Sequence, residues 1–215
     1  MAKAEYLNIE LKTRYYSIGN LNENTKIILF AFHGYGQLAA YFGKHFEKLG
    51  SEYFVVIPEG LHRFYIKGTE GRVGASWMTK EDRETDILNQ STYLNSLLNG
   101  INVSHHTNAK LCILGFSQGV ATAMRWIIRN NIKIDAFINW AGSIPNDLPV
   151  VEVTKAFEEL RMQIIIGDKD PYFNDKVHEN LLACINNYKL SVDFQNFDGE
   201  HKMEAELLKL ILKKI

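Results

Sequence analysis

Five short apolar runs recur along this chain, with helical patterns between them, and that recurrence limits the folds open to it. They are KIILFAF (26–32), EYFVVIP (52–58), AKLCILG (109–115), IDAFINW (134–140) and MQIIIG (162–167). Runs with no polar alternation are what strands look like when both faces of their sheet are covered. KLSVDFQNF (189–197) is a sixth, less apolar candidate, and YLNIEL with RYYSIG has the period-two character of an N-terminal hairpin. Helical periodicity fills the gaps at 37–48, 83–98, 118–130, 174–188 and 200–212. Strands alternating with helices predict an α/β protein, a mostly parallel central sheet flanked by helices on both faces.

At 215 residues, with no repeat and no Pro- or Ser-rich linker, the chain reads as one domain over 1–215. A hydrophobic share of 46% and a charged share of 23% are those of an ordinary globular protein. The formal net charge of −1 gives no electrostatic case for nucleic acid or an anionic membrane. The start lacks the apolar core of a signal peptide, and no apolar run approaches the roughly 20 residues that a membrane helix needs. The 2 cysteines, Cys112 and Cys184, make no disulfide framework, and a cytoplasmic, reducing location is expected. The longest irregular stretch is predicted at 58–80, where Phe64, Tyr65 and Trp77 are odd residues for a merely solvated loop.

The run at 109–115 leads straight into Gly115-Phe116-Ser117-Gln118-Gly119. This G-x-S-x-G stands where the motif has a mechanism, at a sharp turn from strand to helix that lifts a serine for attack. A neutral serine is a weak nucleophile, so a base has to be found among the 7 histidines. His105 and His106 precede the serine's strand. His45 and His178 fall in helical patterns, and His33 precedes a glycine turn. His201, after the last strand candidate, is the expected base, with His62 in the long loop a distant second. Asp168 and Asp170 follow the run at 162–167, and the order Ser, Asp, His is the order of a hydrolase with this elbow. Asp170 is the expected acid, because Asp168 follows the strand closely enough to cap the turn. An oxyanion needs two N–H donors. Gln118, after the serine, supplies one, and the turn His33-Gly34-Tyr35-Gly36 supplies the other through Tyr35. The glycine pattern matches no phosphate-binding loop and the His and Cys spacing matches no zinc site, so no metal is expected.

With HGYG, GFSQG, AGSIP (141–145), GDKDP and GEH in that order, the chain resembles the α/β-hydrolases. Among them it is most similar to the carboxylesterase and phospholipase family that includes the acyl-protein thioesterases. The resemblance implies a triad of Ser117, Asp170 and His201, oxyanion donors at Tyr35 and Gln118, no cofactor and no separate lid domain. It also implies a serine esterase acting on a small-molecule ester or acyl substrate. The thioesterases typically carry leucine where Tyr35 stands, Trp-aromatic-Asp where Trp77-Met78-Thr79 stands, and Leu-Val where Tyr172-Phe173 stands. Trp77, Trp140, Tyr172 and Phe173 are the expected groove walls, with a core role equally open for Trp140. The same triad serves peptidases and acyltransferases. A hydrolase-like binding protein is the alternative outside catalysis.

Overall fold

The computed structural model describes residues 2–101 and 108–215, so His105 and His106 lie outside the described residues. Seven strands form one sheet in the order β1-β3-β2-β6-β7-β8-β9. These are β1 (Tyr15–Ile18), β2 (Ile27–Phe32), β3 (Tyr53–Pro58), β6 (Lys110–Phe116), β7 (Ala136–Trp140), β8 (Arg161–Gly167) and β9 (Ser191–Phe197). Every pairing is parallel except that of β1 with β3. A separate antiparallel pair, β4 (His62–Tyr65) and β5 (Val73–Ser76), lies between β3 and the first long helix.

Among the described residues six helices cover the sheet: α1 (Ala39–Phe42), α2 (Arg83–Gly100), α3 (Gln118–Asn130), α4 (Val150–Phe157), α5 (Asp175–Tyr188) and α6 (Ala205–Leu212). The apolar runs supply two cores at once, because neighbouring side chains on a strand point to opposite faces. Ile28, Phe30 and Phe32 of β2 join Ile113 and residues of α2 to α5 in one core. Ile27, Leu29 and Ala31 join Leu114, Phe42 and α6 residues such as Leu208 and Ile211 in the other. That is why these strands show no polar alternation.

The structure departs from several of the expected elements. The N-terminal hairpin does not form: residues 2–14 carry no regular structure, and β1 pairs with β3 instead. Alternation at Leu7, Ile9 and Leu11 is a local signal, and those side chains stay exposed with no strand beside them. The stretch at 58–80 is not irregular throughout, since it holds β4 and β5, joined to the turn after β2 by a bridge from Gln37 to Ala75. Helix α4 belongs to no predicted pattern. The other helices fall where the periodicity put them, although 37–48 holds only α1 and a short 3₁₀ turn (Gly43–His45), and α6 begins at Ala205 rather than 200.

The chain reverses direction across the sheet at β2, whose neighbours are β3 and β6. In open parallel sheets the crevice beyond the strand carboxyl ends, at such a reversal, is where ligands bind. The turn after β2 and the elbow after β6 open onto that crevice, and the loops after β8 and β9 reach the same edge.

Candidate active site

Ser117 occupies φ 54° and ψ −120°, a conformation that costs an L residue on the order of 1–3 kcal/mol. Two hydrogen bonds hold it: the Ser117 N–H donates to the Trp140 carbonyl (2.9 Å), and the Val120 N–H to the Ser117 carbonyl (3.1 Å). The glycines two residues away are needed for space. A Cβ on Gly115 would lie 2.5 Å from Val120 Cα, and one on Gly119 would lie 2.3 Å from the Phe32 carbonyl oxygen. The nucleophile candidate therefore stands at the amino end of α3, where free N–H groups favour developing negative charge.

Asp170 is buried, and its Oδ2 lies 2.6 Å from His201 Nδ1. Its Oδ1 accepts the Tyr172 N–H (2.8 Å), which fixes the carboxylate's orientation. A carboxylate on Nδ1 places the proton there and leaves the Nε2 lone pair as the basic position. The His201 ring is clasped by Phe116 (centroids 4.9 Å apart) and by the edge of Tyr172 (4.8 Å). Asp168 is exposed and turned elsewhere: its Oδ1 accepts the Gly199 N–H (3.1 Å), tying the β8 turn to the loop that carries His201. His62 pairs with Asp86 (2.8 Å) and does not line the cavity at Ser117.

The turn after β2 is held from below by His33, which is fully buried. Its Nδ1 lies 2.8 Å from the Gly34 carbonyl, its Nε2 accepts the Gly60 N–H (3.0 Å), and its own carbonyl accepts Trp77 Nε1–H (2.8 Å). Desolvation by burial pushes its pKa down to about 4, so the imidazole is neutral, as its acceptor role requires. Gly36 takes φ +73°, a value suited to glycine, and its N–H bonds the Ala75 carbonyl (2.8 Å). The Tyr35 and Gln118 backbone N–H groups have no acceptor among the described residues. The Gln118 side chain accepts the Trp77 N–H (3.2 Å) and donates to the Met78 carbonyl (3.0 Å), stitching the segment after β5 to the elbow.

A cavity of about 210 Å³ is lined by Ser117, Gln118, Asp170 and His201 together with Tyr172, Phe173, Val177 and Ala121. Tyr172 and Phe173 thus stand on its wall. Trp77 and Trp140 do not, and this corrects the expectation that they wall the groove. Both are fully buried. Trp77 stacks on His33 (4.8 Å), and Trp140 donates Nε1–H to the Lys202 carbonyl (2.9 Å), beside His201. They support the site from behind. Their sequence signals, an aromatic in a long irregular stretch for Trp77 and a tryptophan ending an apolar run for Trp140, are the same for core and wall. The buried Glu59, which accepts from Arg14 Nε (2.6 Å) and the Ala39 N–H (3.2 Å), escaped the sequence reading. Its only hint is a charged residue directly after an apolar run. Among the described residues no group of three or more His, Cys, Asp or Glu side chains is arranged to hold a metal, and no helix is long and apolar enough to cross a membrane.

The fold is shared with several solved structures. An acyl-protein thioesterase 2 from Zea mays superposes with a TM-score of 0.70 at 16% identity, over 94% of this chain and 97% of that one. A carboxylesterase from Mesorhizobium loti gives 0.66 at 17% identity, over 87% and 88%. A phospholipase/carboxylesterase from Dyadobacter fermentans DSM 18053 gives 0.66 at 15%, over 94% and 95%. Among curated proteins, none matches this chain significantly. At these identities the structural likeness speaks for the fold. The sequence itself goes further: residues 22–205 match the family described as serine hydrolase (FSH1), and the chain belongs to that family of serine hydrolases.

Proposed function

We propose that this serine hydrolase cleaves carboxylic esters or thioesters of small acyl substrates, with Ser117, His201 and Asp170 as its triad. The observation that carries the assignment is the 2.6 Å contact of Asp170 Oδ2 with His201 Nδ1, at the back of a cavity that Ser117 also lines. Ser117 Oγ adds to the substrate carbonyl as His201 Nε2 takes its proton. The negative oxygen is received by the Tyr35 and Gln118 N–H groups. His201 then returns the proton to the leaving alcohol or thiol, leaving an acyl-serine. Water, deprotonated by the same nitrogen, adds to that carbonyl, and collapse expels Ser117, which regains its proton. Asp170 keeps Nδ1 protonated and stabilises the imidazolium without itself being protonated.

No metal or cofactor enters these steps, and a cytoplasmic setting for the free thiols Cys112 and Cys184 belongs to the same reading. The test is labelling by a fluorophosphonate probe together with hydrolysis of nitrophenyl acetate. Labelling confined to Ser117, and a loss of at least about a thousandfold in kcat for Ser117→Ala, are expected. An unlabelled Ser117 with equal rates for the two proteins rejects the assignment.

A further inference from the structure

The cavity at Ser117 does not end beside the triad. It shares Ala121, Ser143 and Val177 with a second cavity of about 540 Å³ that runs on between α3, the segment after β7 and α5. Val177, Asn180, Cys184 and Asn187 line it from α5 at steps of three or four residues, which puts them on one face of that helix. From Val177 to Asn187 the helix rises about 15 Å. The track is therefore much longer than an acetyl group needs.

Its chemistry changes along its length. Close to Ser117 the walls are Ala121, Phe173 and Val177. Beyond Val177 they include three solvent-exposed carboxamides, Asn180 one turn along α5, Asn187 farther on, and Asn146 from the segment after β7. Arg125 is the one charged side chain lining this second cavity among the described residues. Asp147 accepts from Arg125 Nη2 (2.8 Å) and Nε (3.2 Å), and the same carboxylate also accepts from Arg83 Nη2 (2.5 Å). An anionic tail would have to compete with that carboxylate. A plain alkyl tail would desolvate carboxamides without bonding them, which is unfavourable. A carboxamide offers both donors and an acceptor, which is what an amide in the ligand needs.

We infer that the groove along α5 binds an extended, uncharged substrate arm carrying an amide, laid from Ser117 toward Asn187. This rests on the hydrolase reading above. The arm can be the acyl chain or the leaving group, and the experiment separates the two. In the acyl series, kcat/KM is compared for nitrophenyl octanoate and nitrophenyl acetamidopentanoate, equal in length, with an amide replacing methylenes. In the leaving-group series, the acetyl thioesters of pentanethiol and N-acetylcysteamine are compared.

One of the two series is expected to favour its amide-bearing member by about tenfold, the scale of one or two net hydrogen bonds. Which series does so identifies the half of the substrate in the groove. The variant Asn180→Leu with Asn187→Leu should lower that ratio to near one. No amide preference in either series, or a preference that survives the double variant, overturns the inference. If Ser117 resists the fluorophosphonate and nitrophenyl acetate is not turned over, the hydrolase reading is what has failed. Ligand-observed NMR with N-pentylacetamide then decides about the groove, whose binding should weaken in the double variant. Absence of binding overturns it.

Discussion

Asp168 and Asp170 stand two residues apart on one turn, yet only Asp170 meets His201. Asp170→Asn would place an amide where Nδ1–H needs an acceptor and would favour the wrong tautomer. A fall of about 10⁴ in kcat is expected, with the fold unchanged by circular dichroism. Asp168→Asn keeps an oxygen for the Gly199 N–H and should retain most activity. The reverse order in matched kinetics would move the acid to Asp168. Both aspartates could be named as candidates from the sequence because they follow an apolar run within a few positions, and the contact that separates them comes from the fold. Trp77 and Trp140 could not be sorted from the sequence either. Whether an indole faces a cavity or a core depends on what packs behind it, here His33 for one and the Lys202 carbonyl for the other.

Among the elements, the loop between β9 and α6 has the most delicate task, since it carries His201 with little regular structure of its own. It is fixed from outside by Trp140 Nε1–H on the Lys202 carbonyl and by the Lys169 N–H on the Gly199 carbonyl (2.9 Å). Trp140→Phe keeps the ring in the core but removes the first tie. It should cost about 1 kcal/mol in stability and several-fold in kcat, with KM for nitrophenyl acetate little changed. A loss of stability with kcat intact would show that the tie supports the fold and not the histidine. The central strands were legible because burial on both faces leaves an unbroken apolar run. The edges were not. β4 and β5, as HRFY and VGAS, are too short and mixed for a periodic signal, and α4 begins with the β-branched pair Val150-Val151, which favours a strand on local preference.

For the molecule as a whole, burial of a neutral His33 ties stability to pH. An unfolded histidine titrates near 6.5, whereas His33 in the fold is pushed down to about 4. Between those values the unfolded chain binds a proton that the native state does not, so stability falls as pH drops from about 6.5 toward 4. Below that this group adds nothing further. His45, lowered by burial against an opposing pull from Glu204, acts in the same direction. The His33 part is on the order of 3 kcal/mol. Urea unfolding at a series of pH values should show a shallower acid slope for His33→Asn than for the native sequence, whatever its starting stability. Equal slopes would remove His33 as the source.

The sheet order has a kinetic consequence. The three triad candidates come from the ends of β6, β8 and β9, and the turn that carries the proposed donor Tyr35 follows β2, so no contiguous stretch of chain holds all the proposed groups. Parallel pairings between distant segments form slowly because each must close a long loop first. A refolding chain can therefore regain much of its helix and strand while Ser117 still has no base. Activity should be the last signal to return after dilution from denaturant, and it reports the docking of β9 rather than collapse.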